Sequence, residues 1–236
     1  MTIAIDGPSG SGKSSVSREV ATRLGLRYLD TGAMYRALTW AALQDGIDLA
    51  DRAAVAEHGA GLDLHMVTDP VTPTVRVGST DLSRAIREPR ISAAVSAVAT
   101  NLEVRADMRH RQRSLIAAAR QEGAGIVVEG RDITTVVAPD AEQRILLSAS
   151  EQTRLARRAQ ELAQDSVHQS EDATRDQVLR RDRDDATVSA FYQPADGVVG
   201  IDTSHLTFDQ VVDAVLQVAH PATHDIPDAP LNEGAR

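Results

Sequence analysis

The chain has 236 residues, a formal net charge of −9 and no cysteine. That length suits one α/β domain with a small insertion. The charge argues against broad, nonspecific nucleic-acid binding, and the missing thiols exclude disulfides and cysteine-based zinc sites.

Hydrophobic residues make up 42% of the chain but aromatics only 3%, so the core must be built from Ala, Val, Leu and Ile. Lys13 is the only lysine, and arginine takes every other cationic role. The N-terminus lacks the basic start and apolar stretch of a signal peptide, and no apolar run reaches the length of a membrane span. A soluble, cytoplasmic protein is expected, with no membrane or nucleic-acid partner. Nothing in the sequence demands an interface, so a monomer is expected.

In chain order, Thr2 to Ile5 is an apolar run that reads as a buried strand. After Asp6 come eight residues, Gly7-Pro8-Ser9-Gly10-Ser11-Gly12-Lys13-Ser14, which fit G-x-x-x-x-G-K-[ST]. Glycines let successive backbone N–H groups turn inward around phosphates, and the following helix N-terminus adds positive potential. Lys13 can reach the β- and γ-phosphates, and the Ser14 hydroxyl can ligate Mg²⁺. The loop, with Ser15 behind it, therefore predicts a nucleoside triphosphate site. It does not name an acceptor, because motors, GTPases, transporters and small-molecule kinases share such loops. Val16, Val20 and Leu24 share a face of the helix after it, and Gly25 is its stop signal.

A short strand at Arg27 to Leu29 ends at Asp30, and Thr31 is expected to cap a helix running to Ala42. Arg36, more than one turn in, could point back to a phosphate, or be a solvated arginine beside a plain cap. Between Gly61 and Arg84 the pattern changes to alternation, which predicts a small antiparallel patch inserted in the α/β frame. Ser92 to Arg120 reads as one or two long helices.

Gly125 to Val128 is the next strand. It delivers Glu129, Arg131 and Asp132 to the carboxyl edge of a parallel sheet, where α/β proteins bind ligands. Arg131 could clamp an acceptor phosphate, and Glu129 could support Mg²⁺ through water. Arg144 to Leu147 is a further strand, and Ser150 is expected to cap a helix from Glu151 to Leu162. Arg154, Arg157 and Arg158 lie on that helix, and Arg180-Arg181-Asp182-Arg183-Asp184-Asp185 follows. These charges could be a solvated face or a lid that brings cations to transferring phosphate. A strand at Gly197 to Ile201 and an amphipathic helix at Thr207 to Val218 complete the pattern. The Pro- and acid-containing stretch from 220 onward reads as a disordered tail.

Taken together, these motifs resemble the bacterial cytidylate kinases, a family of nucleoside monophosphate kinases. The matching elements are I-D-G-P-S-G-S-G-K-S-S at 5–15, L-D-T-G-A-M-Y-R at 29–36, I-R at 86–87, V-S-A-V-A at 95–99, V-R at 104–105, V-V-E-G-R-D-I at 127–133 and T-V-V-A-P-D-A at 135–141. The resemblance implies a P-loop NTPase-type three-layer α/β fold with a central parallel sheet. It implies one kinase domain over 1–221, with a monophosphate-binding insert at about 31–100 and a helical lid at about 155–192. Residues 222–236 would be a tail.

The same resemblance implies transfer of the ATP γ-phosphoryl group to CMP or dCMP, with Mg²⁺. Lys13, Arg36, Arg131 and Arg180 would be the catalytic cations. Thr31, Arg36 and Arg131 would hold the CMP phosphate. Ser96, Arg105 and Asp132 would read the cytosine edge, Arg180 and Asp184 would contact ribose and phosphates, and Arg157 would serve the ATP side. One departure stands out: an arginine is expected shortly after the acidic lid run, yet Asp184-Asp185-Ala186-Thr187-Val188-Ser189 has none. Either Arg181 or Arg183 substitutes, or the clamp is weaker. A kinase for UMP, AMP or shikimate, and a non-catalytic nucleotide switch, are the competing readings.

Overall fold

A computed structural model describes residues 1–164 and 171–219. The tail expected beyond 220, and part of the expected lid, lie outside the described residues. The frame is a five-stranded parallel sheet of order β2 (Arg27–Asp30), β6 (Ile126–Gly130), β1 (Thr2–Asp6), β7 (Gln143–Ser148) and β8 (Val199–Asp202). Alternation along these strands sends neighbouring side chains to opposite faces. Ile3, Ile5, Val127, Ile145 and Leu147 pack against α1 (Lys13–Leu24) and α8 (Phe208–Ala219). Ala4, Leu29, Ile126 and Val128 pack on the other face, against α2 (Thr31–Gln44) and α5 (Leu102–Gln121). The result is the expected three-layer arrangement.

The antiparallel patch is present as β3 (Leu64–Val67), β4 (Thr74–Val77) and β5 (Thr80–Asp81). It is tied to the main frame at one edge. Arg18 of α1 donates to the carbonyls of Pro70 (3.2 Å) and Val71 (3.3 Å), and the Tyr28 N–H donates to the Thr68 carbonyl (2.8 Å).

One local expectation is corrected. The cap of α2 is Asp30, whose carboxylate accepts from the Ala33 N–H at 2.9 Å, while Thr31 is the first helical residue. Of the one or two helices expected from Ser92 to Arg120 the structure has two, α4 (Pro89–Ala99) and α5, because Asn101 caps the second by accepting from the N–H groups of Glu103 and Val104. A further helix, α3 (Arg52–Ala60), has no counterpart in the sequence reading. Only Val55 and Gly59 of it are buried, too few to leave a clear 3.6-residue stripe. Ser150 does cap α6 (Glu151–Gln164), accepting from the Thr153 N–H at 3.2 Å. The charged run from Arg180 to Asp185 ends α7 (Glu171–Asp185). No helix among the described residues is long and apolar enough to cross a membrane.

Candidate active site

The P-loop joins β1 to α1. Gly10 and Gly12 adopt φ of 77° and 88°, a left-handed backbone that favours glycine. At Gly10 a Cβ would also meet the Arg154 carbonyl oxygen at 2.5 Å, so the loop is pressed against the α6 backbone. Lys13 curls over the loop and donates to the Pro8 carbonyl at 3.4 Å. Beside it lies a cleft of about 550 Å³, lined by residues 9–16 together with Arg36, Arg157, Arg181, Leu206 and Phe208.

Strand register brings a carboxylate to the loop. Glu129 lies opposite Ile5 of β1 on one side and Asp30 of β2 on the other. Its Oε1 accepts hydrogen bonds from Ser14 Oγ at 2.6 Å and from the Tyr28 hydroxyl at 3.1 Å. Burial pushes its pKa up to about 7, reinforced by the charge of Asp30 and opposed by Lys13, Ser14 and Arg36. Asp6, one strand over, is raised to about 6 by burial. It accepts from the N–H groups of Ile133 and Thr134 and from Thr134 Oγ1, which orders the turn that follows β6. Ser14 and Glu129, with Asp30 adjacent in register, offer hydroxyl and carboxylate oxygens, the donor type of Mg²⁺. Among the described residues no cluster of three or more metal-ligating side chains forms a closed cage. A cation here would keep most of its shell from water and phosphate, as Mg²⁺ does.

Three guanidinium groups lie near one another: Arg36 and Arg181 line the cleft, and Arg131 is bound at the tip of the loop. The pKa of Arg181 is pushed down to about 9, by burial first and then by the positive charges of Arg36 and Arg131. The Lys13 ammonium is lowered too, by burial and by Arg131 and Arg181, against a raising pull from Glu129. Such mutual repulsion between cations is relieved by an anion placed among them. Arg36 also lies 4.0 Å from Asp30. Arg131 is held on several sides: by Ser9 Oγ at 2.6 Å, Asp182 at 2.9 Å, Asp185, and the face of Phe191 at 4.9 Å.

A third cluster sits beyond Arg131. Arg105 donates to Asp132 Oδ2 at 2.6 Å, to the Ala99 carbonyl at 3.1 Å and to Ser189 Oγ at 2.9 Å. Asp132 is raised by burial, with Arg105 and Arg109 pulling it back down. Ser96 is half-buried on α4, three residues before Ala99.

A phosphate loop, a cluster of arginines and a polar pair beyond them lie together here, and comparison with known proteins names the family. The family model described as cytidylate kinase matches residues 3–221. The chain belongs to the cytidylate kinase family. Among relatives, the cytidylate kinase of Cutibacterium acnes is 47% identical over 92% of this chain and 95% of its own length. That of Streptomyces avermitilis is 46% identical over 91% of this chain and 90% of its own, and that of Nocardia farcinica 46% over 92% and 93%. The solved structure of a sugar kinase from Janibacter aligns with a TM-score of 0.51 at 15% identity, covering 94% of this chain and 95% of that one, a likeness of fold alone.

For this cytidylate kinase family member, the structure redistributes several residues expected from sequence. Arg157 is at the donor end, donating to Thr203 Oγ1 at 2.8 Å, to the Thr203 carbonyl at 2.8 Å and to the Ser11 carbonyl at 3.4 Å. Thr31 is turned inward: its hydroxyl donates to the Glu129 carbonyl at 2.8 Å, which leaves it only lone pairs to offer an anion. Arg180 does not join the cleft. Its side chain is 49% exposed and lies 3.7 Å from Asp176 on the outer face of α7. Asp184 is likewise not one of the carboxylates that meet Arg131; those are Asp182 and Asp185. The reason is helical phase. Val178, Arg181, Asp182 and Asp185 occupy i, i+3, i+4 and i+7, and the buried Val178 fixes that stripe inward. Reading that period with Val178 as anchor would have picked Arg181 over Arg180. Arg154, Asp182 and Asp185 were legible only as members of charged runs, and Asp6 not as a site residue, because a charged residue gives no sign of burial until its partner is known.

Proposed function

We propose that the chain transfers the γ-phosphoryl group of ATP to CMP or dCMP, giving ADP and CDP or dCDP. The observation that carries this is the grouping of three arginines beside Lys13 and the P-loop: Arg36 and Arg181 line the same cleft, and the charge of Arg131 acts on both Arg181 and Lys13. A protein that only bound a triphosphate would have no use for a second arginine-lined anion site.

In this reading Gly7, Pro8, Ser9, Gly10, Ser11, Gly12, Lys13, Ser14 and Ser15 form the donor site, with Arg157 at its outer end. Arg36, Arg131 and Arg181 hold the acceptor phosphate and the transferring group in line. Ser14, and Glu129 through water, would hold Mg²⁺, which when bound neutralises charge on the β- and γ-phosphates. The acceptor is an ionised phosphate at neutral pH, so no strong base is needed. The chain's own contribution is positioning and charge stabilisation by Lys13 and the arginines, in a cleft from which α6 and α7 exclude water. Ser96, Arg105 and Asp132 offer donors and acceptors suited to the amino and carbonyl edge of cytosine. Residues 1–221 act as one kinase domain, with 31–100 as the acceptor-side unit and 155–192 as the lid.

An ADP-release assay with CMP, dCMP, UMP, AMP and shikimate tests the assignment. CMP and dCMP should stimulate release strongly over the rate with ATP alone. A rate with CMP no higher than background ATP hydrolysis would end this reading.

A further inference from the structure

The N–H, hydroxyl and carbonyl of Ser9 are each engaged by a residue of a different segment. Its N–H donates to Asp182 Oδ1 at 3.1 Å. Its hydroxyl accepts from Arg131 Nη2 at 2.6 Å. Its carbonyl accepts from Arg154 Nη1 at 2.9 Å. Asp182 in turn ion-pairs with both of those arginines and is only 1% exposed. The tip of the phosphate loop, the end of β6, α6 and α7 thus meet at one carboxylate.

We infer that Asp182 is a positioning residue that latches α7 to the tip of the P-loop and, through the same contacts, sets the position of Arg131. A residue placed only for stability would have no reason to engage the loop. Buried carboxylates flanked by two guanidinium groups are often no better for stability than apolar replacements, whereas removing one member leaves unbalanced charge. What the arrangement adds is geometry. Ser9 directs its N–H outward to α7 rather than into the phosphate cradle, so the loop tip and the lid move as one unit. Arg131 is held between Ser9, Asp182 and Asp185 at the boundary between the donor loop and the acceptor arginines. Loss of the latch should therefore loosen the cover over the cleft and misplace Arg131 together.

This inference rests on the kinase reading for its kinetic consequence but not for its structural one, and the experiment separates the two. Hydrogen exchange is followed in the full chain without nucleotide, for wild type, Asp182→Asn and the milder Ser9→Ala, which removes only the hydroxyl contact. In Asp182→Asn, exchange of peptides from α7 and from residues 7–12 should rise at least about fivefold while peptides of α5 and β6 stay unchanged. Ser9→Ala should move the same peptides by about twofold. In steady state, Asp182→Asn should lower kcat about tenfold with the acceptor KM little changed, and raise the ratio of acceptor-independent to acceptor-dependent ADP release about fivefold. Asp182→Glu should recover part of that ratio. Unchanged local exchange in both variants overturns the inference, as does a rise spread evenly over all peptides. If no nucleoside monophosphate stimulates the wild type, the proposed function fails, and exchange alone decides the latch.

Discussion

Ser14 Oγ donates a hydrogen bond to Glu129 Oε1 at 2.6 Å, joining the first turn of α1 to the end of β6. The acceptor carboxylate is buried and its pKa stands raised from 4.5 to about 7. A raised acid favours folding in its protonated form. Its contribution is fully present below the unfolded value and is lost as pH climbs through about 7. Glu129→Gln keeps an oxygen acceptor for Ser14 and Tyr28 but cannot ionise. The stability of the variant relative to wild type should therefore rise from pH 5 to pH 8, by an amount on the order of 3 kcal/mol. Thermal midpoints without nucleotide at the two pH values check this, and a pH-independent difference would contradict it.

Lys13→Ala should cost turnover several orders of magnitude, about 10³-fold or more, by removing the one ammonium at the donor phosphates. It should not cost stability. Burial and the charges of Arg131 and Arg181 already disfavour the Lys13 cation, so its removal relieves repulsion. Circular dichroism melts alongside ADP-release rates give both readouts. Wild-type turnover would sink the role given to Lys13.

Arg181 and Arg180 are neighbours in sequence and opposites in the fold. Arg181→Ala should lower kcat/KM by about 10²-fold, as for loss of a charge-stabilising donor. Arg180→Ala, on the outer face beside Asp176, should stay within about twofold of wild type, as an exposed surface change does. Equal losses in the two variants would mean that the helical phase of α7 is not the deciding factor.

Asp132 and Arg105 form a pair that is mostly shielded from water, with side chains 16% and 15% exposed. Asp132→Ala leaves Arg105 without its carboxylate and, in the proposed reading, removes an acceptor for the cytosine amino group. The KM for CMP should rise about tenfold or more while kcat falls less, and preference for CMP over UMP should shrink. Initial rates with the two acceptors measure this. An unchanged CMP-to-UMP ratio would place base recognition elsewhere.

The β-strands and the donor loop were legible because their signals are local. Apolar runs such as Thr2 to Ile5 and Ile126 to Val128 have few alternatives to a doubly covered parallel strand. The glycine pattern before Lys13 needs only a preceding strand and a following helix. Helix α3 was not legible, because its burial rests on two small contacts rather than a stripe. Nor was the capping role of Asp30 over Thr31, since either side chain can cap and only the backbone turn after β2 chose.

The sequence by itself determined the phosphate loop and the set of charged residues available around it. The tertiary structure decided which of those charges face the cleft. Six consecutive charged residues, Arg180 to Asp185, carry no internal mark of inside and outside. The packing of Val178 rotates Arg181, Asp182 and Asp185 inward and leaves Arg180 in solvent. A polar side chain is buried only when partners from distant elements meet it, and Ser9, Arg131 and Arg154 reach Asp182 across separations that no local pattern records.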